Sequence, residues 1–433
     1  MATEADRSIP RLWMFFYDAV FIPVFWIGLV VGSVFKRKIR RGIEGRRNLF
    51  ESLKVRVHAL KATRRVWFHA SSLGEFEQAK PIIAALKRRY KNIDIVASFF
   101  SPSGYDHSKN YQLADVITYI PLDTAANARR FLDLLRPTAA VMVRYDVWPN
   151  HLLELSRRKI PTFIANATMR RNSARLYPFL RSFHRALYDS LTSILTVSEN
   201  DAEAFRMFGL RKPFIQAVGE TRYDQVWQRS EEAKTKHLIP GFILRKKKVI
   251  VVGSSWEEDE EVLIPTLRKM VQYDSSILII LVPHEPTLTV LENIEIRLNF
   301  RPKSIRFSDL NDYSGEPVII VDSIGILMSL YQYADVAYVG GSFRQGVHNV
   351  LEPAVYGIPV VYGPRHENSQ EAVALARRGG GFVVRDQQEC YRTIRMLMSE
   401  TRERKHAGSE ALKLVKENIG ATERFLEHLE KVL

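Results

Sequence analysis

The sequence is poor in several features, and each shortage excludes a class of protein. Its 433 residues include a single cysteine, Cys390, which excludes an internal disulfide framework and favours a reducing compartment. No Cys/His cluster has the spacing of a zinc site. The patterns GxGxxG after a first strand, GxxxxGK[ST] and GxSxG are all missing, which argues against a dinucleotide enzyme, a P-loop enzyme and an α/β-hydrolase. We therefore expect no cofactor.

Acidic residues are also scarce relative to basic ones. The chain has 48 Asp and Glu against 63 Lys and Arg, a formal net charge of +15. Much of the excess is local and directly follows the most apolar stretch, at Lys36, Arg37, Lys38, Arg40, Arg41, Arg46 and Arg47. Basic clusters in that position bind anionic headgroups, so we expect membrane lipid as a partner and, without a recognisable motif, no nucleic acid.

The apolar stretch itself, Leu12 to Phe35, is interrupted only by Asp18 and Pro23. Ala19 to Phe35 gives 17 uncharged residues, the lower limit for crossing a bilayer. A spanning helix, a surface or partly inserted helix and a helix docked on the protein all remain open. Residues 1–40 are therefore predicted to be a membrane anchor with a basic juxtamembrane segment, and the positive charges place the rest of the chain in the cytoplasm.

From Val66 onward, short apolar runs alternate with helical periodicity. Strands are predicted at 66–70, 93–99, 116–120, 139–143, 162–165, 194–197, 214–218, 249–252, 277–282, 318–321, 336–339 and 358–362. This alternation predicts two α/β domains with doubly wound parallel sheets, each Rossmann-like. The charged stretch Lys234 to Lys248 is interpreted as a linker between residues 41–235 and residues 236–433, and the last helix could pack back on the first domain.

A glycine-rich stretch, Gly340 to Pro353, has the pattern of a ligand-binding turn. Two glycines end an apolar run, and a helix is predicted to open at His348 or Asn349. A helix start suits a phosphate, and Glu352 in its first turn could accept hydrogen bonds from a ribose diol. An ordinary βα turn, in which Glu352 only stabilises the helix, explains the same residues.

Two carboxylates follow predicted strands of the first domain. Glu75 comes directly after Gly74 at the mouth of a turn, where a general base for a sugar hydroxyl could lie. The alternative is a carboxylate that stabilises a helix N-terminus. Asp146 is a weaker candidate of the same kind. In the second domain, Gly253 to Ser255 could hold a phosphate, and His284 could contact it.

Two α/β domains with glycine-rich and acidic loops in the second fit a nucleotide-sugar glycosyltransferase, and seven short motifs narrow the family. In order and spacing the chain resembles the 3-deoxy-D-manno-octulosonic acid (Kdo) transferases of lipopolysaccharide assembly. The motifs are His69 to Glu75, Ser101 to Gly104, Trp148 to Asn150, Ala165 to Ala167, Gly253 to Ser255, Gly340 to Ser342 and His348 to Pro353.

The resemblance implies a GT-B glycosyltransferase, with two Rossmann-like domains facing a cleft, anchored at the inner membrane. It implies inverting, metal-independent transfer of Kdo from CMP-Kdo to the disaccharide lipid A precursor, lipid IVA. Glu75 is then the general base, with Asp146 as a second catalytic candidate. The implied donor-binding residues are Gly253, Ser254, Ser255, His284, Gly341, Ser342, Asn349 and Glu352. The acceptor-binding candidates are Ser72, Gly74, Ser103, Arg46 and Arg47.

The chain departs from the family at two places, and two rival functions stay open. Where many members have two glutamates before the Trp-Pro-Asn motif, this chain has Arg144 and Asp146. Pro283 replaces an arginine before His284, which leaves Arg344 or Arg365 to neutralise phosphate. The rivals are a membrane-associated transferase that uses a UDP-sugar, and a non-catalytic nucleotide- or glycolipid-binding protein of the same fold. Oligomeric state is not predicted.

Overall fold

A computed structural model describes residues 11–298 and 303–433 of the chain. The first ten residues of the predicted anchor segment lie outside that description. The chain divides into two compact units: one reaches Gln225 and includes Gly420–Leu433, and the other is Val226–Ile419. The final helical segment therefore belongs to the first unit.

The first unit contains a seven-stranded sheet covered by helices. Its strands are β1 (Arg64–Ala70), β2 (Ile93–Phe99), β3 (Val116–Tyr119), β4 (Ala139–Val143), β5 (Thr162–Ala167), β6 (Ser193–Thr196) and β7 (Phe214–Ala217). Its helices are α1 (Arg11–Phe16), α2 (Ile22–Phe35), α3 (Arg37–Glu44), α4 (Leu49–His58), α5 (Leu73–Arg89), α6 (Pro102–Ser108), α7 (Ala125–Leu135), α8 (Pro149–Arg157), α9 (Pro178–Tyr188), α10 (Glu199–Arg206) and α11 (Thr221–Lys234), which runs on past the unit's last residue.

The second unit contains another seven-stranded sheet. Its strands are β8 (Lys248–Ser255), β9 (Ile277–Pro283), β10 (Ser304–Arg306), β11 (Val318–Ile320), β12 (Val336–Val339), β13 (Val360–Tyr362) and β14 (Gly381–Val383). Its helices are α12 (Gly241–Leu244), α13 (Glu257–Tyr273), α14 (Leu288–Leu298), α15 (Leu327–Tyr331), α16 (Leu351–Ala354), α17 (Gln370–Arg378), α18 (Gln387–Ser399) and α19 (Thr401–Asn418). The remaining helix, α20 (Ala421–Leu429), returns to the first unit.

Both sheets are parallel throughout and have the same kind of strand order. The orders are β3-β2-β1-β4-β5-β6-β7 and β10-β11-β9-β8-β12-β13-β14. The direction of winding therefore reverses between β1 and β4 in one sheet, and between β8 and β12 in the other. In doubly wound sheets the crevice at such a reversal is where ligands bind.

The apolar runs form strands because helices cover both faces of each sheet. All residues of β2, β4, β9 and β12 are buried. The predicted doubly wound parallel folds are therefore confirmed. The sequence did not reveal β10 and β14, because three-residue edge strands carry too short a pattern to distinguish from a loop.

The N-terminal helical segment has a docked half and an exposed half. α1 runs through a π-helical stretch, Tyr17–Phe21, into α2, and Leu12–Phe35 is long and apolar enough to cross a membrane. Trp13 donates to Ser182 Oγ at 3.1 Å, which holds the start of the segment on the protein. The uncharged part from Ala19 to Phe35 is about 25 Å long at 1.5 Å per residue, slightly short of a hydrocarbon core of about 30 Å.

Asp123 is the buried carboxylate that ties this segment to the domain. Its oxygens accept hydrogen bonds from Tyr17 Oη at 2.8 Å, Asn150 N at 3.0 Å and His151 N at 3.1 Å. His151 Nδ1 lies 2.5 Å from Asp123 Oδ1, and the Asp123 side chain is fully buried. Asn150 also donates from Nδ2 to Asp18 at 2.7 Å, so the two acidic groups share one partner.

We expect Asp123→Ala to lower the free energy of unfolding by about 3 kcal/mol, because it leaves several buried donors without an acceptor. Tyr17→Phe removes one neutral partner and should lower it by only about 1 kcal/mol. Denaturant unfolding of detergent-solubilised protein measures both. Equal effects of the two variants would contradict the central role of the carboxylate.

Candidate functional site

The candidate site of the first unit lies where its strand order reverses. Val66 to His69 of β1 pairs with Ala139 to Met142 of β4. Because the strands are parallel, the turn after β1 and the loop after β4 leave the sheet at the same edge. That edge brings Ser71, Glu75 and Asp146 into one neighbourhood.

Glu75 stands in the first turn of α5 and forms a capping box with Ser72. The backbone N–H groups of Ser71 and Ser72 donate to Glu75 Oε2, at 2.6 and 3.3 Å, while Glu75 N donates to Ser72 Oγ at 3.4 Å. The helix-stabilising interpretation of this carboxylate is therefore realised. The capping box uses only one of the two oxygens of the Glu75 carboxylate.

The other oxygen, Glu75 Oε1, has no hydrogen-bond partner within the part of the chain that the structure describes. The Glu75 residue is only 9% exposed, so its side chain is largely removed from water. Burial raises the pKa of Glu75, and the nearby charge of Asp146 raises it further, while the N–H of Ser71, His69 and the N–H of Ser72 only partly offset this. A carboxylate with one fixed oxygen, one free oxygen and a raised pKa is suited to accept a proton.

A buried chain of hydrogen bonds orients Asp146 beside it. Trp67 Nε1 donates to Ser98 Oγ at 2.8 Å, Ser98 Oγ lies 2.8 Å from His69 Nδ1, and His69 Nε2 lies 2.8 Å from Asp146 Oδ2. The consistent assignment has the Ser98 hydroxyl donating to Nδ1 and the Nε2–H group donating to the carboxylate. His69 is fully buried and so acts as a fixed link and not as a surface group.

Asp146 also accepts from the Ser71 hydroxyl and from Trp148 Nε1, the latter at 3.3 Å. Burial raises the pKa of Asp146, but the hydrogen bonds from His69, Ser71 and Trp148 outweigh it and hold the pKa below its ordinary value. Asp146 is therefore the ionised member of the pair and Glu75 the member whose proton affinity is increased. Two carboxylates with opposite shifts are typical of sites that move protons.

The other predicted residues of this unit fall into two groups. Ser72 and Gly74 lie in the α5 turn, and Ser103 Oγ is 2.7 Å from Ser101 Oγ at the start of α6. Arg46 instead points inward, with Nε, Nη1 and Nη2 each donating to a backbone carbonyl oxygen, and Arg47 is exposed. The geometry thus gives Arg46 a structural function and keeps Ser72, Gly74, Ser103 and Arg47 as predictions.

Arg144 stands at the end of β4 with a positive φ of 65°, and its N–H donates to Ala165 O at 2.7 Å. Its Nε is buried and, among the described residues, has no hydrogen-bond partner. Arg144 is therefore on the same loop as Asp146.

In the second unit the backbone closes tightly where β8 and β12 end. A Cβ at Gly340 would lie 2.2 Å from Ser254 O, and Ser254 itself has a φ of 54°. Only glycine permits this contact, which brings the loop after β8 against the loop after β12.

Several predicted donor residues are used to build these loops. Ser255 Oγ donates to Glu260 at 2.9 Å, and Ser342 Oγ accepts from Gly363 N at 2.6 Å. Gly341 N donates to Asp259 Oδ2 at 2.7 Å, and both Ser255 and Ser342 are buried. These side chains shape the site, and their assignment as direct donor contacts stays a prediction, as does that of Gly253 and Ser254.

An aromatic patch lies at the same edge. Trp256 Nε1 donates to His348 Nε2 at 2.8 Å, and the exposed His284 ring stacks on both, at 4.4 Å from Trp256 and 4.6 Å from His348. Burial, together with His284, lowers the pKa of His348 to about 4, so His348 is the neutral acceptor. A flat surface of this kind suits stacking by a planar ring.

Arg344 supplies a cation beside the patch. Its guanidinium lies 4.2 Å from the Trp256 ring centroid, and Arg365 donates to the Arg344 carbonyl oxygen. Trp256, His284 and Arg344 all line a pocket of about 200 Å³ in this unit. Arg344, and not Arg365, is therefore the arginine next to His284.

The predicted helix after the glycine turn is wrong in its start and its length. Residues 346–349 are not helical, and α16 has only four residues, because Val355 to Gly357 form a turn. A single helical turn provides little dipole for a phosphate. Asn349 Oδ1 accepts from Leu351 N at 3.2 Å, its Nδ2 donates to Glu352 at 3.2 Å, and Arg229 lies 4.0 Å from the Glu352 carboxylate.

Glu352 is mostly buried, with 15% of its side chain exposed. Burial raises the pKa of Glu352, partly offset by Arg229 and by the hydrogen bond from Asn349. A carboxylate in this state accepts hydrogen bonds readily from hydroxyl groups, and its contact with a ribose stays a prediction.

Sequence reasoning missed five residues that the structure places in the two sites: His69, Trp148, Trp256, Asp259 and His348. Three of them were inside quoted motifs, but no local pattern distinguishes a site histidine from a core one. Within residues 11–298 and 303–433, no group of three or more His, Cys, Asp or Glu is arranged to hold a metal ion.

Both units of the chain are similar to known proteins. A family model described as 3-deoxy-D-manno-octulosonic-acid transferase (kdotransferase) matches residues 45–225. A 3-deoxy-D-manno-octulosonic acid transferase from Haemophilus influenzae is 24% identical over 98% of this chain and 99% of its own length. The enzyme of the same name from Aquifex aeolicus is 29% identical over 78% of this chain and 87% of its own length.

The chain is a glycosyltransferase similar to the Kdo transferases. This similarity confirms the resemblance seen in the sequence. Since the Haemophilus influenzae relative aligns over nearly its whole length, the similarity extends beyond the first unit to the second.

Solved structures agree on the fold. The UDP-GlcNAc 2-epimerase from Neisseria meningitidis bound to UDP-GlcNAc has a TM-score of 0.58 at 14% identity. The two align over 85% of this chain and 100% of the epimerase chain. The Methanocaldococcus jannaschii UDP-GlcNAc 2-epimerase has a TM-score of 0.52 at 15% identity. Here the two align over 82% of this chain and 99% of the epimerase chain. At these identities the likeness supports the GT-B type of fold and nothing about the substrate.

We expect Gly340→Ala to lower the free energy of unfolding of this Kdo transferase by about 1–3 kcal/mol, because the new methyl group overlaps Ser254 O. Gly241→Ala is the matched control in the same unit, since nothing lies within 4 Å of its added Cβ. Denaturant unfolding would compare them. Indistinguishable midpoints for the two variants would contradict the close approach of these loops.

Proposed function

We propose that the chain transfers Kdo from CMP-Kdo to the disaccharide lipid A precursor, lipid IVA, at the cytoplasmic face of the inner membrane, with inversion and without a metal ion. The observation that carries the proposal is the state of Glu75: one oxygen held by two backbone N–H groups, and the other free among the described residues. Similarity to Kdo transferases supports the sugar that is transferred.

In the proposed reaction Glu75 Oε1 takes the proton of an acceptor hydroxyl. The hydroxyl oxygen forms a bond to the anomeric carbon of Kdo, and the bond from that carbon to the phosphate oxygen of CMP breaks. CMP leaves with the electron pair. Asp146 stays ionised and positions His69 and Ser71, while its charge keeps the pKa of Glu75 raised. Positioning and electrostatics then supply most of the rate.

The second unit is assigned the donor. The patch of Trp256, His284 and His348 offers a stacking surface for the base, and Arg344 offers a positive charge for the phosphate. Glu352 and Asn349 offer acceptors for ribose hydroxyls. The unpaired Nε of Arg144, on the same loop as Asp146, supports a contact with an anionic sugar group.

The N-terminal segment supports membrane association. Leu12–Phe35 is long and apolar enough to cross a membrane, and its residues from Val24 to Phe35 are largely exposed. The basic residues of α3 follow directly, where anionic headgroups would lie. A spanning helix and a partly inserted one both keep the catalytic unit at the membrane surface.

The direct experiment is a transfer assay with purified protein in detergent. The protein is given CMP-Kdo and lipid A precursor in the presence of EDTA, and the mass of the lipid is measured. Wild type should add whole Kdo units. Glu75→Gln should lower kcat by about 10²- to 10⁴-fold, because the base is lost while glutamine can still cap α5. Glu77→Gln is the matched control, since its carboxylate pairs with Lys80 and not with the site.

Near-normal turnover by a folded Glu75→Gln protein would refute the assigned base. In the same assay CMP should inhibit and UDP should not. Inhibition by UDP alone would favour a UDP-sugar donor, and binding of CMP without transfer to any lipid would favour a non-catalytic protein.

The rate should also depend on pH through Glu75. Its base form is the carboxylate, so kcat/KM should fall as the pH drops through a pKa that lies above the ordinary value of 4.5. Asp146→Asn removes a neighbouring negative charge, which lowers the pKa of Glu75, and the acid limb should move to lower pH. Asp133→Asn, at an exposed carboxylate paired with Arg158, is the control. An acid limb at the same pH in all three proteins would contradict the coupling.

A further inference from the structure

A cavity of about 210 Å³ lies between the N-terminal helices and the sheet edge of the first unit. Its apolar walls are Trp26, Leu29, Ile39, Ile43, Phe100 and Leu122. Trp26 and Lys38 on its lining are exposed, so the cavity reaches the surface. None of the proposed catalytic or donor residues lines it.

The hairpin of α2 and α3 forms one side of this cavity. Gly32 allows it to close, since a Cβ there would lie 2.9 Å from Ile39 Cδ1, and Arg40 Nε donates across it to Ser33 O at 3.2 Å. The opposite surface of α2, including Ile27 and Val31, is exposed. α2 therefore has one face toward the surroundings and another toward the cavity.

Two cations border this apolar space. Lys38 is exposed at its rim, and the Arg46 guanidinium donates to the carbonyl oxygens of Gly42, Phe100 and Ile120. No acidic side chain among the described residues pairs with Arg46, and its burial lowers its pKa to about 10. The guanidinium of Arg46 is thus occupied within the protein. The apolar interior complements a lipid acyl chain, and the exposed Lys38 at the rim complements an anionic headgroup.

Two sets of contacts connect the cavity wall with the turn that holds Glu75. Phe100, on the wall, packs against Trp148 at 5.1 Å between ring centroids, and Trp148 Nε1 lies 2.9 Å from His69 Nε2. Ser101, also on the lining, donates from its N–H to Ser71 O at 2.9 Å, and Ser71 N donates to Glu75. The cavity wall is thus connected to Glu75 through Ser101 and Ser71.

We propose that this cavity binds one acyl chain of the anionic glycolipid acceptor and so sets which sugar hydroxyl reaches Glu75. The inference rests on the proposed function, since it assigns part of that acceptor. A membrane phospholipid has similar chains, but it is not the proposed substrate, so its position relative to Glu75 has no effect on the reaction. The acceptor is favoured because Ser101 on the cavity wall is hydrogen-bonded to Ser71 in the turn that holds Glu75.

The first test fills the cavity. Leu29→Trp should raise KM for the fully acylated acceptor about tenfold, because several methylene groups lose their burial. The effect should vanish with an acceptor whose chains are too short to enter. Ile27→Trp is the matched control on the exposed side of the same helix. An equal rise in KM in both variants, or an unchanged KM in Leu29→Trp, would overturn the proposal.

The second test needs neither a variant nor turnover. Wild-type protein is photolysed with the lipid A precursor carrying a diazirine at the end of one acyl chain, and the labelled peptides are mapped by mass spectrometry. Label on Ile39, Ile43 or Phe100 supports the proposal. Equal labelling of these residues by a diazirine phospholipid would overturn it in favour of bulk lipid. Absence of Kdo transfer with cavity labelling intact would instead count against the proposed function.

Discussion

The parallel pairing of β1 with β4 is the constraint on which the catalytic unit depends. It forces the turn after β1 and the loop after β4 to leave one edge of the sheet together, although Glu75 and Asp146 are 71 positions apart. The same edge gives the two carboxylates different surroundings: backbone N–H groups at one, and a buried histidine and tryptophan at the other. Their unequal proton affinities follow from topology as much as from residue type.

Much of the fold could be predicted because buried parallel strands are continuous apolar runs, and all twelve predicted strands lie in the two sheets. The predictions of secondary structure that failed did so for local reasons. β10 and β14 are too short for a recognisable pattern. The helix expected after Gly341 begins only at Leu351, where Asn349 hydrogen-bonds Leu351 N and Glu352, and it ends after one turn because Val355 to Gly357 form a turn. Side-chain hydrogen bonds of this kind are not visible in hydrophobic periodicity.

The candidate site was less predictable than the fold. Glu75 was predicted because it follows a glycine at a strand end, and the structure shows its capping contacts on one oxygen, while its role as general base stays a prediction. His69 and Trp148 were missed because their importance arises from contacts across 77 and 79 positions. Arg46 carried the signal of a surface cation, yet it lies against three backbone carbonyl oxygens, which no charge pattern reveals.

The hydrogen bond from Tyr17 to Asp123 has a geometric consequence for catalysis. Asp123 also holds the start of α8, next to Trp148, so the long apolar helix and the cluster around Asp146 are joined through one buried carboxylate. If α2 enters a bilayer, as proposed above, this connection sets the height of Glu75 above it. A lipid-linked acceptor then needs only to diffuse in the plane, and its hydroxyl arrives at that height already oriented. The anchor thus converts a search in three dimensions into a search in two.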